Sequence, residues 1–214
     1  MTTGHMPLPA GVDTTYPPAP WQMHGQLWLS LFRVREGDHP EREPGVYGAA
    51  LVAYEQPSPL TYSELLVART VKAAGGRRVN ITDIWVDSAD SRDGGRALWA
   101  IPKGLCEFES TSTGGRVQRT SWSATLEGAP VASARFTDVS RSMLRTPFKG
   151  STWQQREADE PGPDREVVAE LTGSARALPC RGSWNFHEQG PLAWLAGKRP
   201  LASFRMSDFS MSFG

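Results

Sequence analysis

In "WQMHGQLWLSLFRVR" (21–35), Leu27, Leu29 and Leu31 alternate with Trp28, Ser30 and Phe32, and this period of two predicts a strand with two distinct faces. A second strand is predicted in "GVYGAALVAYEQPSPL", ending at the turn Pro57-Ser58-Pro59. The first half of "TYSELLVARTVKAAGGRRVNITDIWVDS" fits either a helix closed by Gly75-Gly76 or one arm of a hairpin turning there. Val67, Thr70 and Val71, followed by "VNITDIWV", favour the hairpin because β-branched residues suit a pleated surface. That hairpin places Glu64, Leu66, Ala68 and Thr70 on one face. Ser88 is suited to cap a short helix, "ADSRDGGRALW", despite the weakness of Gly94-Gly95 inside it, and Pro102 is expected to end it.

Strands are also predicted in "GRVQRTSWSATLE", "APVASARFTDV" and "GSARALPCRGSWNF", with a tight turn at Glu127-Gly128-Ala129-Pro130 between the first two. "READEPGPDREVVAE" reads as a solvated loop, "GPLAWLAG" as one or two helical turns, and "LASFRMSDFSMSF" as a closing strand. Many short strands with little helix predict a mainly β fold, a barrel or a sandwich. A closed or conical barrel has an interior that can hold a small ligand.

Composition narrows the function classes. A length of 214 residues suits one domain, read here as residues 21–214 behind an extended, proline-rich arm, 1–20. Formal net charge is zero, which argues against binding nucleic acid by phosphate neutralisation. No apolar stretch approaches the ~20 residues of a membrane helix, and "MTTGHMPLPAGVDTTYPPAP" lacks the regions of a signal peptide. Cys106 and Cys180 form no CxxC, and His5, His24, His39 and His187 are scattered, so no metal site is expected. A reducing cytoplasm is the simplest setting.

Only four of the 23 basic residues are lysines. One of them, Lys103, directly follows the apolar run Leu98-Trp99-Ala100-Ile101-Pro102. It reads either as a surface lysine whose stem lies over apolar neighbours, or as a poorly solvated amine with a lowered pKa, able to attack a carbonyl.

The segment "GRALWAIPKGLCEF" resembles the active-site segment of the acetoacetate decarboxylase superfamily, with Gly95, Arg96, Leu98, Pro102, Lys103 and Leu105 matching its pattern. The likeness extends to "MHGQLWLSLFRV", "YSE" at Tyr62-Ser63-Glu64, "IWVDS" and the final strand. It implies a single-domain antiparallel β-barrel or cone with a few short helices, in which Lys103 forms a Schiff base and Glu64 is the cavity glutamate. It also implies a homo-oligomer, a small-molecule carbonyl substrate and no cofactor.

Departures from the family pattern shape the rest. Gly104 replaces a second lysine, which leaves desolvation by residues such as Trp99 and Ile101 to lower the pKa of Lys103. In an ungapped alignment a second family glutamate falls near Ala49, and the arginine expected to receive a substrate carboxylate falls near Gln26. Gln26 and His24 offer hydrogen bonds to a neutral carbonyl, or face solvent. Asp83 is either an outward strand residue or a polar group in the cavity. Arg96 is read as an anchor, and Cys106 as a small buried hydrophobe sooner than a cavity residue. Gln26, Trp99, Ile101 and Asp83 are thus the candidate substrate-binding residues beside Lys103 and Glu64. The expected chemistry is aldol or retro-aldol reaction, dehydration or cyclisation. Decarboxylation of a β-keto acid is an alternative that needs an arginine such as Arg69 or Arg205, and a non-catalytic small-molecule-binding barrel is another.

Overall fold

The structure is a computed structural model that describes residues 15–114, 117–139, 144–157 and 162–214. Most of the expected arm, residues 1–14, lies outside the described residues, as do 115–116, at the start of one predicted strand, and 158–161, inside the predicted solvated loop. Period-two alternation is realised as β1 (Trp21–Val34), β2 (Gly45–Tyr54), β3 (Tyr62–Ala73) and β4 (Gly76–Val86), followed by α1 (Ala89–Trp99). The remaining strands are β5 (Gly104–Leu105), β6 (Glu107–Thr113), β7 (Arg119–Leu126), β8 (Ala129–Asp138), β9 (Arg145–Gln155), β10 (Glu166–Phe186) and β11 (Ala202–Phe213). One 3-10 turn, Ala193–Leu195, stands where one or two helical turns were expected. Among the described residues no helix is long and apolar enough to cross a membrane.

The strands run β11-β1-β2-β3-β4-β9-β10, and β10 pairs again with β11, closing a ring. The C-terminal part of β10, past its contact with β11, continues into β8, β7 and β6. The fold is therefore mainly β and cone-like. It is not wholly antiparallel: β5 lies parallel to β4, and β4 meets β9 through a single parallel pair, Val79 with Thr152.

Both architectures predicted from the alternation are present, one on each face of β1–β3. Trp21, Met23, Val52, Tyr62, Ile84, Val86, Trp99 and Phe209 fill the ring on one face. On the other face Trp28, Phe32, Tyr47, Leu51, Leu65 and Val67 pack against Trp122, Phe136 and Phe186 in a sandwich. Some of the polar atoms this second core buries are paired, as where Ser30 meets Ser203 at 2.7 Å and receives the Trp184 indole N–H at 2.8 Å. The indole N–H groups of Trp28, Trp122 and Trp194, in contrast, are buried without a hydrogen-bond partner among the described residues.

Ser88 caps α1 as predicted, its hydroxyl accepting the Ser91 N–H. The helix stops earlier than Pro102, because Ala100 takes a left-handed backbone (φ 54°, ψ 27°) and returns its N–H to the Arg96 carbonyl. Besides the two-residue β5, two strands lacked a sequence signal: β6 is largely exposed, and the buried positions of β9 are the polar Ser151, Thr152 and Gln154, so neither shows an apolar period. The predicted loop is shorter than expected, since its final residues enter β10 at Glu166.

Candidate active site

Lys103 is carried by the segment that leaves α1, and its stem runs back along the helix. A Cβ on Gly95 would stand 2.8 Å from the lysine Cδ and 2.9 Å from Cε, so glycine gives this side chain its path. Arg96 fixes the segment by donating from Nε to the Lys103 carbonyl at 2.7 Å. Arg156 in turn donates to the carbonyls of Arg96 and Ala97 at 2.8 and 3.1 Å, joining the Ala100 N–H on the first and satisfying in the second an acceptor that the helix end leaves open. Gly104 also has a local reason: a Cβ there would meet the Trp85 ring at 2.8 Å, so the position of the family's second lysine is closed by packing.

Glu64 comes from β3. Its partners in register are Val52 on β2 and Val86 on β4, both fully buried, so the carboxylate stands in an apolar row. One row along, Phe209, Gly25, Tyr54 and Tyr62 pair in series across four strands. The Tyr54 and Tyr62 rings lie 4.4 Å apart, and Phe209 meets Tyr54 edge-on at 5.8 Å.

These elements converge on the lysine nitrogen. Lys103 Nζ lies 3.1 Å from Glu64 Oε2, 3.0 Å from Ser91 Oγ and 3.3 Å from Tyr62 Oη. Three acceptors thus meet the three donors of an ammonium. The nitrogen also stands 5.0 Å from the centre of the Tyr62 ring, and Tyr54 donates its phenol to Glu64 Oε1 at 3.1 Å. Side-chain exposure is 5% for Lys103 and 4% for Glu64, so the pair is enclosed.

Burial pushes the Lys103 pKa down, but the facing Glu64 carboxylate and the Tyr62 oxygen outweigh it and hold the group above its ordinary 10.5. This reverses the lowered value expected from desolvation alone. Burial raises the Tyr62 phenol, opposed by Lys103, and raises the Tyr54 phenol further with the help of Glu64. Both phenols therefore stay protonated at neutral pH. The raised lysine contributes stability that is fully present below 10.5 and is lost as pH climbs through the higher folded-state value.

The candidate residues divide between the two faces of the sheet. Lys103 and Glu64 meet. Trp99 and Ile101 belong to the same apolar cluster as Tyr62, and Trp99 is held edge-on between Trp21 at 4.8 Å and Phe213 at 4.7 Å. Gln26 and Asp83 are placed away from the lysine. Gln26 pairs in register with Ala53 of the sandwich face, donates to Glu55 and receives Arg205. Asp83 pairs in register with Val67 of that face and is bound by Arg42 at 2.7 Å. The backbone N–H of His24, two residues before Gln26, goes to Ser58.

Ala49 is also in the sandwich core, so that position faces away from Lys103 whatever residue fills it. Arg69 is bound by Glu43 and Tyr47, and Arg205 by Asp138 and Gln118, again on the sandwich side. Sequence reading missed Tyr54, Tyr62 and Ser91. Tyr62 was within reach of it, because it lies two residues before Glu64 and so on the same strand face. Ser91 carried a similar signal, four residues before Gly95 on one helix face.

Cys106 lies in the sandwich core, its thiol donating to the Thr125 carbonyl at 3.0 Å. Burial pushes Cys106 up to about 11 and Cys180 up to about 12. Both thiols are expected to resist alkylation by iodoacetamide at pH 8 until the chain unfolds, and intact mass with and without urea measures this. Among the described residues no three His, Cys, Asp or Glu side chains gather in a way that could hold a metal ion.

No protein-family model matches the sequence, and no curated protein does. Solved structures do match in fold. The enduracididine biosynthesis enzyme MppR complexed with pyruvate superposes with a TM-score of 0.68 at 17% identity, covering 96% of this chain and 92% of that one. The same enzyme with the condensation product of pyruvate and imidazole 4-carboxaldehyde gives 0.64 at 15%, covering 99% and 96%. Acetoacetate decarboxylase from Legionella pneumophila subsp. pneumophila str. Philadelphia 1 gives 0.66 at 14%, covering 97% and 89%. The fold of this chain is that of the acetoacetate decarboxylase-like enzymes.

Proposed function

We propose that this acetoacetate decarboxylase-like fold serves a Schiff-base lyase acting on a small or medium carbonyl compound, with Lys103 as nucleophile and Glu64 as acid and base. The observation carrying this reading is a primary amine enclosed among apolar and aromatic side chains with a carboxylate 3.1 Å away. Passing one ammonium proton to Glu64 leaves a neutral amine and a neutral acid, a pair that low solvation tolerates better than water does. The amine attacks the carbonyl carbon, and as the C–N bond forms the oxygen takes up the proton that nitrogen gives up. The hydroxyls of Ser91 and Tyr62, already beside Nζ, are placed to steady that oxygen. Glu64 then returns its proton to the departing hydroxyl, so water leaves and a protonated imine faces a restored carboxylate.

The imine withdraws electrons from the neighbouring carbon, and a C–H or C–C bond there can break to give an enamine. Aldol or retro-aldol reaction, dehydration and cyclisation all follow from that intermediate. The condensation product bound to the structurally similar MppR supports chemistry of this kind. β-Keto acid decarboxylation has less support, since Arg69 and Arg205 are engaged on the other face of the sheet. A non-catalytic binding barrel is favoured by one observation: the Lys103 ammonium is already fully hydrogen-bonded.

Trapping separates these readings. Incubation with a panel of ketones, aldehydes and β-keto acids followed by borohydride is expected to add one reduced adduct per chain, mapped to Lys103 and absent from Lys103→Ala. Adduct formation is expected to rise with pH, because loss of a proton from the raised ammonium to solvent adds to the amine that transfer to Glu64 sets free. In Glu64→Gln that rise moves to lower pH, since burial then acts on Lys103 without an opposing carboxylate. If no carbonyl yields an adduct at any pH, the binding barrel is the correct description.

A further inference from the structure

The charges around Lys103 restrict what the site accepts. Among the described residues the buried cations are Lys103, Arg156 and Arg205. Arg156 is committed to the carbonyls of Arg96 and Ala97, toward the opposite end of α1 from Ser91. Arg205 is committed to Asp138, Gln118 and Gln26 on the sandwich face. Among the described residues the one charge facing Lys103 Nζ is Glu64, so the enclosed pair is neutral as it stands. It remains neutral after the amine is converted to a protonated imine.

A keto acid would bring a second carboxylate into this enclosure with no cation left to receive it. The site would then carry a net negative charge at every stage from binding to imine, and buried charge without a partner is costly. The surfaces next to the pair point the same way. Glu64 is flanked by Val52 and Val86, and the aromatic row from Phe209 through Tyr54 ends at Tyr62, whose ring lies under the nitrogen. Such a wall favours an apolar or aryl substituent.

We propose that the site is selective for uncharged carbonyl compounds, with an apolar or aryl group beside the carbonyl, and discriminates against α- and β-keto acids. This rests on the Schiff-base reading and adds the substrate class to it.

The test uses pairs in which a carboxylate replaces a methyl group: acetone against pyruvate, and 4-phenylbutan-2-one against 2-oxo-4-phenylbutanoate. Reductive trapping rates on the full chain are divided by those of Nα-acetyllysine under the same conditions, which removes the intrinsic electrophilicity of the keto acids. Each neutral ketone is expected to exceed its acid by at least about tenfold, the least that an unpaired buried carboxylate costs. The phenyl ketone is expected to exceed acetone. Parity or preference for either keto acid overturns the substrate class and leaves the Schiff base standing. Absence of adducts from all four compounds overturns the Schiff-base reading itself.

Discussion

Lys103→Met is expected to destabilise the fold by about 3–5 kcal/mol, while Lys103→Met combined with Glu64→Leu recovers all of that loss or more. In the single variant the Glu64 carboxylate keeps the Tyr54 phenol at 3.1 Å but loses the ammonium. It is then a charge confined between Val52 and Val86 with one hydrogen-bond donor and little water. In the double variant no charge needs desolvating, and the replacements are of similar volume to the residues removed. Urea unfolding of the wild type, both single variants and the double variant closes the cycle. A cost below about 1 kcal/mol for Lys103→Met would mean that the pair behaves as a solvated surface pair, and the argument from enclosure would fail. The double variant is also expected to form no carbonyl adduct, so that stability and chemistry part at this pair.

Alanine at Gly94 and at Gly95 is expected to fail in opposite ways. Each substitution gains about 1 kcal/mol of helix propensity. At Gly94 the new Cβ meets Trp21 ring atoms at 2.7 and 2.9 Å and Tyr16 Cγ at 2.9 Å. Trp21 cannot retreat easily, because its N–H is held by the Pro17 carbonyl at 2.8 Å and its ring by the edge of Trp99. Overpacking of this kind costs about 1–3 kcal/mol, so Gly94→Ala should lose net stability. At Gly95 the obstructed atoms belong to the flexible Lys103 stem, which can swing aside at little cost to the fold. The amine keeps its pairing with Glu64 but is shifted within the site, and a displacement of about 1 Å is worth about a hundredfold in rate. Gly95→Ala should therefore melt close to wild type and trap carbonyls about a hundredfold more slowly. Trapping at the wild-type rate would show that the lysine does not use this path.

Those two glycines mark how far the sequence could be read. They looked like a defect in a helix, and only their neighbours, an aromatic ring in one case and the catalytic candidate's own stem in the other, explain them. The strand β1, the hairpin of β3 and β4, and the Ser88 cap were legible because each rests on a local pattern. β6 and β9 were not, since an exposed strand, or one whose buried positions are Ser151, Thr152 and Gln154, carries no apolar period. Alternation in β1 revealed two faces and left open which was buried; both are, which is why barrel and sandwich could not be separated. Lys103 and Glu64 stood out through a recognisable segment. Gln26 and Asp83 were named by position along the chain, but whether a strand residue faces a cavity reverses with each step, and both face the sandwich. The direction of the lysine pKa shift depended on how closely Glu64 approaches it, a tertiary fact.

The closure of the ring between β1 and β11 governs how the chain must fold. Gln22 donates to Ser212, a partner 190 positions away, and β1 and β11 pair along most of their lengths. The hairpins β2–β3 and β3–β4 can form early from near neighbours, but this closure has to wait and carries a large loop entropy, so folding should be slow for the size of the chain. During synthesis β1 exists for a long interval with one bare edge, open to pairing with other chains. The vulnerable species is then the unfinished chain, and substitutions that weaken β11 should show first in the yield of soluble protein and only later in the melting temperature.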